Sequence, residues 1–139
     1  MKVLKLSVIC ILATLTVLAA CAFSSSVCFK NAESYSFYCG DSSKNCKEIT
    51  ADSSPAIVKL ALKNVCGESA TYTKFNLDKF LASVSGEIIF SETLSDSVNY
   101  YCKANLPYKV NLYGKEINLH ICIRKDGVKV GSPIIFGGY

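Results

Sequence analysis

Hydrophobic and polar positions alternate most regularly over the last third of the chain. Across 116–124 every second side chain is apolar: Ile117, Leu119, Ile121 and Ile123 share one face, and Asn118, His120, Cys122 and Arg124 share the other. A period of two in a stretch rich in β-branched residues predicts a half-buried β-strand, not a helix. Upstream, Tyr108, Val110 and Leu112 alternate with Lys109, Asn111 and Tyr113, and the Gly114-Lys115 corner joins the two runs. Downstream, Lys125-Asp126-Gly127 is a hairpin signal, because Asp-Gly tolerates the positive φ values of tight turns. Val128 and Val130 resume the alternation and lead into Pro133-Ile134-Ile135-Phe136. The pattern predicts an antiparallel meander with one face buried.

The same reading extends backwards. Tyr35, Phe37 and Cys39 alternate with Ser34, Ser36 and Tyr38 in a first strand, and a polar loop at 40–45 follows between Cys39 and Cys46. A bond between those two cysteines would fix the loop as a turn, worth about 2–3 kcal/mol in the chain-closure model. Residues 51–55 break the chain, and 56–64 restart it with Val58, Leu60 and Leu62 opposite Ile57, Lys59, Ala61 and Lys63. Two helical turns would also accommodate this run, but β-branched Ile57 and Val58 favour a strand, which Val65-Cys66-Gly67 ends. Residues 71–75 form a short β-prone run.

In 76–83, Leu77, Phe80 and Leu81 recur at i, i+3 and i+4 behind Asn76, a good N-cap, which predicts a short helix. Residues 84–94 return to alternation, Ile88 and Phe90 against Glu87, Ile89 and Ser91, with Gly86 as a bulge. Residues 98–102 are a short aromatic run. Several short strands separated by turn signals predict an all-β fold, an antiparallel two-sheet sandwich of about 7–8 strands.

The N-terminus reads differently. Lys2 and Lys5 precede an almost unbroken apolar run over 6–20, followed by small residues, so 1–22 is expected to be a secretory signal peptide. The run is shorter than the roughly 20 apolar residues that a bilayer span needs, so no stable span is expected. Ala20-Cys21-Ala22 fits cleavage before Phe23. Leu18-Ala19-Ala20-Cys21 also resembles a bacterial lipobox, which would make Cys21 a lipid anchor. Six structural cysteines suit eukaryotic secretion better, and 23–139 is expected to fold as one domain.

Charge excludes more than it identifies. The chain carries 15 basic and 11 acidic residues, and without Lys2 and Lys5 the balance is 13 to 11. No basic run is longer than Arg124-Lys125. A nucleic-acid surface needs a clustered basic stripe, so none is expected. Cys28, Cys39, Cys46, Cys66, Cys102 and Cys122 in an exported chain predict three disulfides, and spacing does not choose among the possible pairings. Zinc-site spacing is missing and His120 is the only histidine, so neither a metal nor another cofactor is expected.

Catalytic chemistry has little to build on. A nucleophilic hydrolase needs a base held near Ser or Cys, and the single histidine sits mid-strand two residues before Cys122. Glu87, Glu92 and Asp96 are close in sequence, but loop carboxylates are common and do not by themselves make an acid–base pair. The expected role is non-catalytic: sheets that splay slightly would hold an acyl chain or sterol between them, with Leu60, Phe90, Val110, Leu119 and Ile121 as the lining. The alternative is that these residues fill a closed core. The domain would then be an extracellular structural or interaction module, reading a protein partner through loops or an edge strand.

Cys28, Cys39 and Cys46, followed by a Pro-containing turn and the 56–64 run, resemble the opening of the secreted lipid-recognition (ML) domain family. The alternating strand 117–123, the Asp126-Gly127 turn and a final strand resemble its end. The resemblance implies a two-sheet β-sandwich with three disulfides that binds lipid between its sheets. By the family's nested pairing it implies Cys39–Cys46, Cys66–Cys102 and Cys28–Cys122. The chain departs from the family where a close mid-chain cysteine pair is replaced by the distant Cys66 and Cys102. It departs again at Cys122, which precedes the final turn where the family's last cysteine follows it.

Overall fold

The computed structural model describes residues 2–24, 26–41 and 45–137. The centre of the 40–45 loop, the last two residues and the side chain of Cys21 lie outside the described residues. Helix α1 (Lys2–Ser24) comes first, and its described side chains are exposed, Ile9 and Leu18 by more than 60 %. Among the described residues no helix is long and apolar enough to cross a membrane.

The antiparallel β domain follows as β1 (Ser34–Cys39), β2 (Lys47–Ala51), α2 (Pro55–Ala61), β3 (Val65–Tyr72), α3 (Leu77–Ser83), β4 (Glu87–Thr93), β5 (Ser97–Lys103), β6 (Val110–Leu112), β7 (Lys115–Ile117), β8 (Leu119–Arg124) and β9 (Gly127–Ser132). Its two sheets are very unequal. Seven strands form one sheet in the order β2-β1-β3-β9-β8-β5-β4, and β6-β7 form the other.

Three local expectations change. The 56–64 run is helix α2, not a strand: Pro55 occupies the first turn, where its fixed φ is already helical, and Ser54 takes the left-handed N-cap. Helical spacing turns Val58 and Leu62 onto the core and leaves Ile57 and Leu60 exposed, so packing overrides a weak β preference. Val65-Cys66-Gly67 therefore opens β3 instead of closing a strand. The 116–124 run is interrupted at Asn118, whose side chain accepts from Ala104 N at 2.6 Å and donates to the carbonyls of Ala104 and Leu106. The β4 irregularity falls between Ile88 and Phe90, not at Gly86, and β2 carries no clear alternation. Helix α3 forms as expected, with Asn76 Oδ1 accepting from Lys79 N at 2.9 Å.

One face of the large sheet carries the core. Phe37, Ala70, Leu119, Ile121 and Val130 are essentially unexposed there, beneath α2, α3 and the segment holding Phe29. Phe80 of α3 packs among Phe29, Tyr72 and Phe75, with ring centroids 5.0–6.1 Å apart. Burying each such side chain contributes roughly 1.5–3 kcal/mol.

The opposite face was expected to be polar and exposed, but the chain after β9 folds back over it. Ile135 N donates to His120 Nδ1 at 3.3 Å, and Tyr38 Oη donates to Phe136 O at 2.9 Å while its ring packs on the Phe136 ring. The close approach needs glycine. A Cβ on Gly131 would lie 2.7 Å from the backbone of Ile134 and Ile135, and one on Gly67 would lie 2.5 Å from the Phe136 ring. His120 is consequently buried, Cys122 on the same face is buried as well, and β8 is covered on both sides there.

No disulfide joins the described cysteines, and the sheet order rules out two of the pairings implied by the ML resemblance. Strands β3 and β5 are three positions apart, about 14 Å, so Cys66 and Cys102 are far beyond the roughly 7 Å Cα separation that a disulfide spans. Cys28 packs against the helix-covered core, whereas Cys122 projects from the other face of β8, so that bond would have to pass through the sheet.

Candidate ligand-binding pocket

On the second face, strand register sets three ring side chains in one row. Phe90 of β4 is opposite Tyr101 of β5, and Tyr101 is opposite His120 of β8. Directly opposed residues on a sheet face are close enough to stack. The Phe90 and Tyr101 rings lie 4.5 Å apart and 17° from parallel, and the Tyr101 and His120 rings 4.5 Å and 14°. The next residue in the row is Gly131, over which the Ile134-Ile135 backbone crosses.

This row floors a pocket of about 470 Å³. Leu112 and Tyr113 of the β6–β7 hairpin form one wall, Ile134 and Ile135 another, and Ser91 and Glu92 add polar groups. The volume falls within the range typical of small-molecule sites. Tyr113 and Gly114 form the hairpin turn, both at positive φ (52° and 77°). Such a turn favours Asn-Gly, and a bulky aromatic held there is strained. Tyr113 is 91 % exposed and meets the edge of the Phe90 ring at 6.0 Å. Lys115 Nζ stands 5.7 Å from the Phe90 centroid, so the outer aromatic face also carries a cation.

His120 is fully engaged. Because Nδ1 accepts from Ile135 N, the proton resides on Nε2, which donates to Asn99 Oδ1 at 3.1 Å. Burial pulls its pKa down to about 4, so the ring is neutral at physiological pH. Its two nitrogens hold β5 and the C-terminal segment, and its face extends the stack.

The sequence-derived lining is not brought together. Phe90 alone lines the pocket. Leu119 and Ile121 belong to the closed core under the helices, Leu60 points outward from α2, and Val110 pairs with Ile117 in the small sheet. Alternation shows which residues share a face; it does not show which face is packed solid. The overlooked signal was an aromatic or imidazole ring on the outward phase of three strands, at 90, 101 and 120. Of the carboxylates near β4, Glu92 borders the pocket, Asp96 pairs with Arg124 at 3.3 Å, and Glu87 is exposed.

A second polar cluster lies on the helix-covered side. The Lys59 ammonium of α2 pairs with the Glu68 carboxylate of β3, and both are at least 90 % buried. Glu68 also accepts from Cys28 N at 2.9 Å and from Tyr108 Oη at 3.1 Å, and Lys59 donates to Ser26 O at 2.7 Å. Burial, reinforced by the neighbouring Glu68 charge, raises both the Cys28 thiol and the Tyr108 hydroxyl well above their ordinary range. With its oxygens occupied, this cluster fastens α2, the 26–28 segment and Tyr108 to the sheet. Among the described residues no group of acidic, histidine or cysteine side chains has the arrangement of a metal site.

Comparison of the chain with protein-family models, with curated proteins and with solved structures finds no match in any of the three.

Proposed function

We propose that the protein is a secreted, non-catalytic binder of a small hydrophobic molecule, held in the pocket between its large sheet and its β6–β7 hairpin. The observation that carries this reading is the pocket itself: a stacked Phe90–Tyr101–His120 floor with Tyr113 held strained and exposed at its rim. Strain kept at an exposed position is a feature of working sites, since a relaxed turn residue was sterically open to the chain. A lipid or sterol-like ligand with one flat apolar face suits the floor, and Ser91 and Glu92 offer contacts to a polar end. The apolar helix α1 supports export, because its described isoleucines and leucines, Ile9, Ile11, Leu12, Leu15 and Leu18, are all exposed.

Titration with the apolar fluorophore 1-anilinonaphthalene-8-sulfonate tests the reading. The native domain should bind one equivalent, and Phe90→Ala should weaken binding about tenfold, roughly 1.4 kcal/mol. Binding unchanged in Phe90→Ala, or none at all to the folded protein, would favour the alternative: an extracellular interaction module whose partner is another protein.

A further inference from the structure

Two hydrogen bonds tie the end of the chain to the outer face of the large sheet, and they differ in kind. Tyr38 Oη donates to Phe136 O at 2.9 Å, with the two rings packed together. Burial pushes the Tyr38 hydroxyl up to about 12, so this bond is indifferent to acid. Ile135 N donates to His120 Nδ1 at 3.3 Å, a bond that exists only while Nδ1 offers a lone pair. His120 is 2 % exposed, and its Nε2 already donates to Asn99 Oδ1 at 3.1 Å, so a second proton can go only to Nδ1. There it would set one N–H against another. The buried ring would lose a hydrogen bond in the act of becoming charged, and both changes cost free energy.

The segment that Ile135 belongs to is built to come away. It follows β9 and lies in no strand, so detaching it breaks no ladder hydrogen bond. Ile134 and Ile135 nevertheless form one wall of the pocket. The titratable and charged groups around the ring come from each neighbouring element. Tyr101 of β5 stacks on it, and Glu92 of β4 stands opposite Asn99, two strands away. The β6–β7 hairpin brings Tyr113 and Lys115 to the Phe90 end of the row. Further along β8 are Cys122 and Arg124, the latter paired with Asp96 and Asp126, and β9 sets Lys129 opposite Cys122. Burial is what pulls the imidazole pKa down to about 4 from 6.5, so the ring takes up a proton far more readily once the segment has left.

We propose that His120 is an acid-operated latch on the pocket: protonation of Nδ1 releases the 134–136 segment from the sheet and removes the wall made by Ile134 and Ile135, so that ligand is held near neutral pH and let go in acid. Ligand release rests on the binding role proposed above, whereas the latch rests on the His120–Ile135 bond alone. The open segment gains a proton near pH 6.5 and the closed one only near pH 4, so acid favours opening by about tenfold per pH unit between those limits and about 100-fold overall. Because the segment lies outside the strand ladder, it opens while the sheet is still folded.

Amide exchange followed by NMR on the full chain tests the latch without any ligand. The Ile135 N–H exchanges only after it leaves Nδ1, and its rate is divided by that of an unstructured peptide at the same pH to give a protection factor. That protection should fall about tenfold per pH unit between pH 6 and pH 4.5 and stay below the protection of the β8 amides throughout. The slope should vanish in His120→Gln and persist in Glu92→Gln, which removes the pocket carboxylate. Ile135 protection that is flat with pH would overturn the latch, as would a slope lost in Glu92→Gln. Protection equal to that of β8 at every pH would overturn it too, since only global unfolding would then free the segment. The native protein decides the first and last of these even if a variant fails to fold. Titration with the uncharged apolar fluorophore Nile red reads release, and its affinity should fall with the same slope. Affinity unchanged at pH 4.5 while Ile135 is released would overturn the release step. No Nile red binding at pH 7 would overturn the binding role and release with it, and Ile135 protection would still decide the latch.

Discussion

Single side chains carry most of the chemical tension in this domain. Tyr113 holds a turn conformation that asparagine adopts more readily, so Tyr113→Asn should raise stability by about 1 kcal/mol while weakening ligand binding. Urea unfolding and the fluorophore titration read the two effects separately, and a variant that lost both would show that the residue is merely structural. His120 links stability to pH. Its folded pKa lies near 4 against 6.5 for the free side chain, so below pH 6.5 the unfolded chain takes up a proton that the folded domain refuses. Stability is therefore fully present above pH 6.5 and falls towards pH 4 by about 3 kcal/mol. His120→Gln should start less stable at pH 7 but lose this part of the slope, as urea midpoints across that window will show. The Lys59–Glu68 pair gives a third test. Lys59→Met alone strands a buried carboxylate and should cost about 3–5 kcal/mol, whereas adding Glu68→Leu should recover part of the loss, the remainder reflecting Cys28 N and Tyr108 Oη left without their acceptor.

At the level of strands and turns, the C-terminal segment after β9 makes the pocket. It stays on the sheet because Gly131 and Gly67 lack side chains, so Gly131→Ala should push Ile134 and Ile135 off the row and open the wall. The expected cost is about 1–3 kcal/mol in unfolding, with loss of fluorophore binding; unchanged binding would show that the wall is dispensable. Such dependence was not legible in the sequence. Strands with a clean period of two, such as β1, β8 and β9, could be read directly, as could the Asn76 cap and the Lys125-Asp126 turn, whereas the corner expected at Gly114-Lys115 falls one residue earlier, at Tyr113-Gly114. The 56–64 run could not, because its spacing fits both periods and only burial of Val58 and Leu62 against the core decides between them. The break at Asn118 depends on its bonds to Ala104 and Leu106, which are far enough away in sequence to leave no local mark.

For the domain as an assembly, the sequence conveyed an antiparallel β architecture but not how the strands divide. Period-two alternation is satisfied equally by two facing sheets and by one wide sheet covered by helices on one side and by its own chain end on the other. The pocket escaped for a related reason. Its floor combines rings from three strands that become neighbours only through the β4-β5-β8 order, and its wall comes from a segment that looked like the end of a strand. The apolar side chains that seemed suited to a ligand are instead packed under α2 and α3. The central claim is that the Phe90–Tyr101–His120 surface holds a hydrophobic small molecule. Its most direct test is NMR shift mapping of the folded, solvent-stripped domain mixed with a lipid extract from the cells that express it. Perturbations centred on Phe90, Tyr101, Tyr113, Ile134 and Ile135 are predicted. Silence at those residues, or shifts confined to the helix-covered side around Ile57 and Leu60, would contradict it.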